Sequence, residues 1–308
     1  MENSTNKIKI LTYNAWGLKI GPFSIAKDYH ARIYSLPSEI YRLSPDIIFL
    51  QEIWKKSDRK YLINELKKRG YKYSYYKTDY HPRIKNFKWL NNLMLGNGLL
   101  IISKTPINYS NSQAFSFSAH TATEEFFTRK GVLFCEIEIP AFGKINCINT
   151  HLGSVDYNPK KLHFNKKQRL NQLQQLNEFE KFVLNITKNY PLFIGADLNI
   201  DERNYNNLNW FPRGGKEYEA LMKKLNLIDS YRVMNPDKIG KTYSDNNHYK
   251  IQGPEGRLDY LFHANLGSTL VPESSKLVFT GPIKRKNKTF QLSDHYGILS
   301  EYKIKKAH

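Results

Sequence analysis

The stretch 193–201, FIGADLNID, runs from apolar residues straight into an acid and an amide. Alternate residues of a strand point to one side. The pattern therefore predicts a buried strand whose carboxyl end carries Asp197 and Asn199 together. Such ends are a common place for ligand contacts in sheet proteins. Five more strand-like stretches end or begin on polar groups: Asn14 in KIKILTYNAW, Glu52 in DIIFLQEIW, His151 in KINCINTH, Arg257 and Asp259 in RLDYLFH, and Asp294 with His295 in QLSDHYGIL. Taken singly, each is a turn residue or a helix cap. Taken together, they occupy the same kind of position on successive strands.

The intervening segments read as helices. Residues 28–43 carry a helical pattern with Pro37 as a break or a new first turn. Ser57 is expected to cap a helix with Leu62 and Leu66 on one face and Gly70 as its stop. A long helix is expected over 163–187, with Leu170, Leu173, Leu176 and Phe179 at helical spacing, and a shorter one over KEYEALMKKLN. Residues 131–139 and 144–151 read as a hairpin. Strands and helices alternate to both ends, without a repeat or a low-complexity linker. This predicts one α/β domain over residues 1–308. The hairpins exclude an all-parallel sheet and favour two packed, mixed sheets with helices outside.

Composition narrows the class. The chain has 308 residues, 40 % hydrophobic and 14 % aromatic, enough to bury a sizeable core. No apolar run approaches the roughly 20 residues of a membrane-spanning helix. The first residues lack the apolar core of a signal peptide. The expectation is a removed leader or, if the protein is exported, another route. Two cysteines, Cys135 and Cys147, exclude a disulfide scaffold and a cysteine-rich zinc site. They flank the hairpin and read as buried thiols, with a single cross-strand bridge as the alternative. A net charge of +19 suits phosphate-rich partners, either nucleic acid or anionic lipid.

The set of motifs, in its order, resembles the endonuclease/exonuclease/phosphatase superfamily. The matching pieces are TYNAWG, FLQEIW, GNGLLIIS, NTHLG, GADLN, RLDYLF and SDH, from Thr12 to His295. The resemblance implies a four-layer α/β/β/α sandwich of two mixed sheets flanked by helices, with the active site at one edge. It also implies hydrolysis of phosphate esters with a divalent metal. Within the superfamily, Asn14-Ala15-Trp16-Gly17, Gln51-Glu52-Ile53-Trp54 and the segment 126–132, FFTRKGV, are similar to the neutral sphingomyelinases. Those enzymes carry Asp-Trp where this chain has Glu125-Phe126.

Phosphodiester hydrolysis needs activated water, neutralised phosphoryl oxygens and a stabilised leaving oxygen. A hard cation such as Mg²⁺, or another divalent ion, takes few protein ligands. By resemblance Glu52 is the first ligand, with Asn14 beside it and Asp294 at a second site. His295 is the expected general base, its pKa suited to neutrality, with Asp259 holding its ring. His151 is expected to bind phosphate or to protonate the leaving oxygen, Asn199 to donate to a phosphoryl oxygen, and Asp197 to orient water or touch a metal. Lys130 is a candidate for phosphate, and Arg169 is a candidate with a solvated helix charge as its alternative.

The substrate expected from the resemblance is sphingomyelin, cut to ceramide and phosphocholine at a phospholipid membrane surface. Residues 71–95 mix aromatics with Lys and Arg as interfacial surfaces do. Phe87, Trp89, Leu90, Leu93, Met94 and Leu95 are the candidate insertion residues, Trp89 first. A nuclease is the second reading, favoured by the net charge and by IKRKNKT at 283–289. A phosphoinositide phosphatase is the third, and a catalytically dead lipid-binding module the last.

Overall fold

The computed structural model describes residues 7–306 except 21–22, 25, 79–95, 117–127, 141, 159–162, 187–189, 204–213, 252, 266–267 and 286. Two six-stranded sheets carry the fold. The first takes β1 (Lys7–Asn14), β2 (Ile47–Gln51), β3 (Tyr73–Tyr75) and β4 (Leu100–Ser103). The second takes β5 (Ile107–Ala114), β6 (Gly131–Ile139), β7 (Gly143–His151), β8 (Leu192–Asp197), β9 (Ile228–Asp229) and β10 (Asp259–Ala264). The chain then returns to the first sheet with β11 (Ser268–Val278) and β12 (Gly297–Lys306). The strand orders are β11-β12-β1-β2-β4-β3 and β9-β10-β8-β7-β6-β5. Both sheets are mixed, because β1–β2 and β7–β8 run parallel while β1–β12 and β8–β10 run antiparallel.

The sheets face each other and each carries helices outside. Ile10, Phe49 and Ile298 of the first sheet pack against Cys147, Phe193 and Leu261 of the second. On the outer face of the first, Leu11 and Leu50 meet Ile33 and Leu36 of α1 (Tyr29–Leu43) and Leu62 and Leu66 of α2 (Lys56–Lys67). On the outer face of the second, Ile194 and Phe262 meet Phe179 and Val183 of α3 (Lys166–Ile186) and Leu221 of α4 (Gly215–Lys224). Central strands are thus buried on both faces, which is why they read as nearly continuous apolar runs. No helix among the described residues is long and apolar enough to cross a membrane. Cys135 and Cys147 stand opposite one another on β6 and β7 as free, buried thiols.

Strand parity explains where the polar groups go. Ile8 and Ile10 face the other sheet, while Leu11 and Tyr13 face the helices. Continuing that alternation brings Asn14 to the inter-sheet side. The same parity carries Gln51 after Phe49, His151 after Cys147, Asp197 after Phe193 and Asp259 beside Leu261. The register then aligns them: Asn14 opposite Gln51, Asp197 opposite both His151 and Asp259. Across the sandwich, Gln51 Nε2 donates to Asn149 Oδ1 at 2.7 Å, and Asn149 Nδ2 donates to the Leu50 and Leu100 carbonyls. This amide bridge closes the apolar interior beneath the polar end.

Several local expectations change. Helix α1 runs unbroken through Pro37, whose missing amide costs one bond that burial of Ile33, Leu36 and Ile40 offsets. Ser57 lies inside α2 and bonds Asp58 at 3.2 Å, so Lys55, not Ser57, stands at the cap. Helix α3 starts at Lys166, because His163–Phe164 pair as a short strand with Tyr157–Asn158. Its buried face holds Asn171, Gln172, Gln175 and Phe179, and Leu170 is exposed. The amide side chains serve the loops: Gln172 donates to the Gly153 and Asn199 carbonyls. Residues 291–296 are not strand. Ser293 Oγ accepts from the His295 amide, and the Tyr296 amide goes to the Thr242 carbonyl. Asn199 lies beyond β8 with φ 51°, so it does not share a strand face with Asp197.

At Gly195 the sheets leave no room for a side chain. A Cβ there would meet the Phe49 ring at 2.3 Å. Gly195→Ala is expected to cost about 1–3 kcal/mol of stability through overpacking, read by urea unfolding. Unchanged stability would mean that the sheets separate freely at this point.

Candidate active site

Glu52, His151, Asp197, Asn199, Asp294 and His295 line one cavity of about 420 Å³. Its centre is Asp197, which is fully buried. Asp197 Oδ2 accepts from Asn14 Nδ2 at 2.8 Å and lies 3.4 Å from His151 Nε2 and 3.9 Å from His295 Nδ1. Its Oδ1 accepts from the Asn199 amide at 3.0 Å. That last bond is an Asx turn, and it closes β8 while swinging Asn199 toward His151. Burial, reinforced by Asp259, pushes the Asp197 carboxyl up to about 7.

His295 Nδ1 meets Asp259 Oδ2 at 2.8 Å. Burial disfavours the charged ring, but Asp259, Asp294 and Asp197 outweigh it and hold the pKa well above the ordinary histidine value. Asp197, Asp259 and His295 offer atoms within 4.8 Å of one another, compact enough for a cation. The Nδ1–Asp259 distance is that of a hydrogen bond, however, and this fixes the trio as a carboxylate-held histidine.

His151 differs. Lys130 Nζ lies 3.1 Å and Asn199 Nδ2 3.2 Å from its Nε2. Two donors aimed at one nitrogen make it an acceptor, so the ring is neutral with its proton on Nδ1. Burial, then Lys130 and His295, lower its pKa well below the ordinary value. Lys130 and Asn199 also share the Leu152 carbonyl, at 2.9 and 3.0 Å.

Glu52 stands just past β2 with φ 59°, a left-handed turn that points its carboxylate into the cavity. Asn14 Nδ2 donates to Glu52 Oε1 at 2.9 Å, and Trp54 Nε1 lies 3.4 Å from Oε2. Asn14 gives its own oxygen to the Trp16 amide at 2.9 Å, so it braces Glu52 through its nitrogen. Asp294 lines the same cavity. Burial pushes it up to about 6, with Glu52 adding to the shift and His295 opposing it. Two carboxylates that repel one another at the cavity form an oxygen donor pair suited to a hard divalent cation, while the Asn14 oxygen is already engaged by the Trp16 amide.

Arg169 lines the cavity, where Glu217 pairs with it at 2.7 Å. Trp89, the other insertion candidates, Glu125 and Phe126 lie outside the described residues. Several contributors were not singled out from sequence. Arg32 is buried under Trp16 and donates to the Ala15, Trp16 and Leu292 carbonyls, tying the end of β1 to the loop that bears His295. Trp16, Trp54, Tyr243 and Ile251 form apolar walls. Trp16 and Trp54 stand in the quoted motifs, and Arg32 is a charge in the helical pattern of 28–43 beside buried apolar residues; Tyr243 and Ile251 carry no signal in the sequence.

The chain is similar to several known proteins. A putative neutral sphingomyelinase of Drosophila melanogaster is 23 % identical over 308 residues, covering 97 % of this chain and 61 % of the fly protein. Sphingomyelinase C 2 of Leptospira interrogans is 25 % identical over 316 residues, covering 96 % of this chain and 46 % of that protein. The chain thus spans less than two thirds of the length of either relative. The beta toxin of Staphylococcus aureus superposes with a TM-score of 0.68 at 21 % identity, covering 95 % of this chain and 99 % of that one. At that identity the likeness is one of fold, with the same pair of mixed sheets flanked by helices. The model of the Endonuclease/Exonuclease/phosphatase family matches residues 11–295, from β1 to His295. On that match, the chain belongs to the Endonuclease/Exonuclease/phosphatase family.

Proposed function

We propose that the chain is a metal-dependent phosphodiesterase of the sphingomyelinase kind, hydrolysing a choline phosphodiester of a membrane lipid to a lipid alcohol and phosphocholine. The observation that carries this reading is the His295–Asp259 pair at 2.8 Å in the same cavity as Glu52. Glu52 and Asp294 would hold the cation, Mg²⁺ or a related ion, with Asn14 beside them. When bound, the cation neutralises phosphoryl charge.

The residues of the chain supply the rest. Asp259 keeps the proton of a neutral His295 on Nδ1, so Nε2 is the atom that takes a proton from water. That water attacks phosphorus, the bond to the lipid oxygen breaks, and that oxygen takes a proton from solvent water to leave as an alcohol. In isolation the acids around His295 favour its charged form, which is not a base. A cation held by Glu52 and Asp294 would counter them and favour the neutral ring. Neutral His151 accepts from Lys130 and Asn199 and so orients both toward a phosphoryl oxygen. Asp197 fixes Asn14, Asn199 and the register between them.

The walls support a choline ester over a nucleic acid. Trp16, Trp54 and Tyr243 line the same cavity as the acids, and aromatic faces attract quaternary ammonium groups. The net charge of +19 is the observation that favours the nuclease reading. A panel of sphingomyelin, phosphatidylcholine, inositol phosphates and plasmid DNA, each with and without Mg²⁺, separates the two. Metal-dependent release of phosphocholine from sphingomyelin is expected. DNA cutting without choline-lipid hydrolysis would overturn the substrate.

Glu52→Gln keeps the size of the side chain and removes its charge; activity is expected to vanish with the fold retained by circular dichroism. Near-normal turnover at modest Mg²⁺ would remove Glu52 from this role. His295→Ala is expected to lower the rate at least ~10²-fold, the scale of a lost acid–base group. Asp259→Asn should act through the orientation of His295. Trp89→Ala is expected to reduce activity on sphingomyelin vesicles far more than on a soluble short-chain substrate, and equal losses would rule it out as an anchor.

A further inference from the structure

Away from the cavity, residues 55–78 hold nine lysines and arginines against two acids, a surplus of seven in a chain whose net charge is +19. This stretch builds α2 and the edge strand β3. Leu62 and Leu66 of α2 face the core. Lys56, Lys60 and Lys67 recur at helical spacing on the exposed side, and Lys72, Tyr73, Tyr76 and Lys77 continue the exposed surface along the edge. The two acids are taken locally: Asp58 by the Tyr29 hydroxyl, Glu65 by Lys68 and Arg69. Among the described residues, no ion pair engages Lys56, Lys60, Lys67 or Lys72.

Tyrosines are interleaved with these cations. Tyr34 of α1 is 56 % exposed, Tyr76 39 % and Tyr73 36 %. The Tyr34 ring meets Tyr61 of α2 edge-on at 4.8 Å, and the Arg59 guanidinium lies 5.3 Å from the Tyr76 ring. The rings thereby bridge α1, α2 and the end of β3. One end of this surface, at Lys56 and Tyr76, abuts the cavity mouth, while Lys67 and Lys72 lie toward the opposite end of the sheet. Helix α2 opens directly after Trp54, which lines the cavity, and Tyr75 pairs with Ile101 at the strand end where Leu100 faces Leu50.

We propose that the α2–β3 face docks the chain on a bilayer that carries anionic lipid and so holds the cavity mouth at the lipid surface. This rests on the membrane-lipid reading of the site. Lysines near an anionic leaflet gain from its surface potential, and tyrosine rings settle at the boundary between water and lipid. A face with cations alone would suit any polyanion. The exposed tyrosines between them favour the bilayer.

The test is binding of the full chain, with metal chelated, to vesicles of phosphatidylcholine and of phosphatidylcholine with phosphatidylglycerol at about 70:30. The parent is expected to bind the anionic vesicles at least ~10-fold more tightly than the neutral ones. The variant K56E/K60E/K67E/K72E is expected to lose that preference while keeping its unfolding midpoint and its activity on a soluble short-chain substrate. Equal binding to both vesicles, or a variant that binds like the parent, would overturn the proposal. So would tighter binding to a short DNA duplex that the same substitutions abolish. Because hydrolysis is silenced in the binding assay, the two readings fail separately. Intact anionic preference without sphingomyelin turnover sinks the substrate, and turnover without the preference sinks the docking face.

Discussion

The site depends on the burial of one carboxylate. Asp197 has no exposed surface, yet four groups meet it: Asn14 and His295 from the first sheet and the loop before β12, and His151 and Asn199 from the second sheet and the loop after β8. A buried acid is costly unless it is paired or hydrogen-bonded, and here each partner that offsets the cost is itself a site residue. The carboxylate therefore couples the two sheets where the cavity opens. Its neighbour Asp259, aligned with it across β8 and β10, takes the His295 ring. Burial and then Asp259 raise the Asp197 carboxyl, and Asp259, Asp294 and Asp197 together favour the proton on His295.

Around this centre the fold uses backbone conformations that most side chains avoid. Glu52 and Asn199 are both left-handed, and so is Trp16. Each follows a strand end and redirects a side chain that strand parity alone would have sent elsewhere. Behind them, Arg257 is fully buried, with its guanidinium shared between Glu202 and Asp229 and stacked over Tyr260. The Tyr260 hydroxyl in turn donates to the Ile200 carbonyl. This network holds the loop after β8 against the start of β10. Buried ion pairs add little net stability, but breaking one leaves a charge stranded, so such a network resists rearrangement.

Much of this was legible in the sequence because strand parity is a rule of two. The apolar alternation before Asn14, Glu52, His151 and Asp197 located the ends, and their order along the chain located the fold. What was not legible is what happens once the strand stops. Asp294 and His295 read as strand, since LSDHYGIL alternates, but side-chain and backbone bonds of Ser293 and Thr242 hold them in a loop. Asn199 read as the strand partner of Asp197, but an Asx turn rotated it onto His151. The leucine spacing on α3 was real, yet Gln172 donates to loop carbonyls and Gln175 accepts from the Gly153 amide, and Leu170 was left outside. Local pattern identifies which residues are polar; only tertiary hydrogen bonding decides which way they turn.

The central claim is that His295, held by Asp259, directs water onto the phosphorus of a lipid phosphodiester. Turnover of sphingomyelin in oxygen-18 water, read by mass spectrometry of both products, tests it most directly. Attack at phosphorus predicts one heavy oxygen in phosphocholine and none in the lipid alcohol. Label in the lipid alcohol, or phosphocholine without label, would contradict the account.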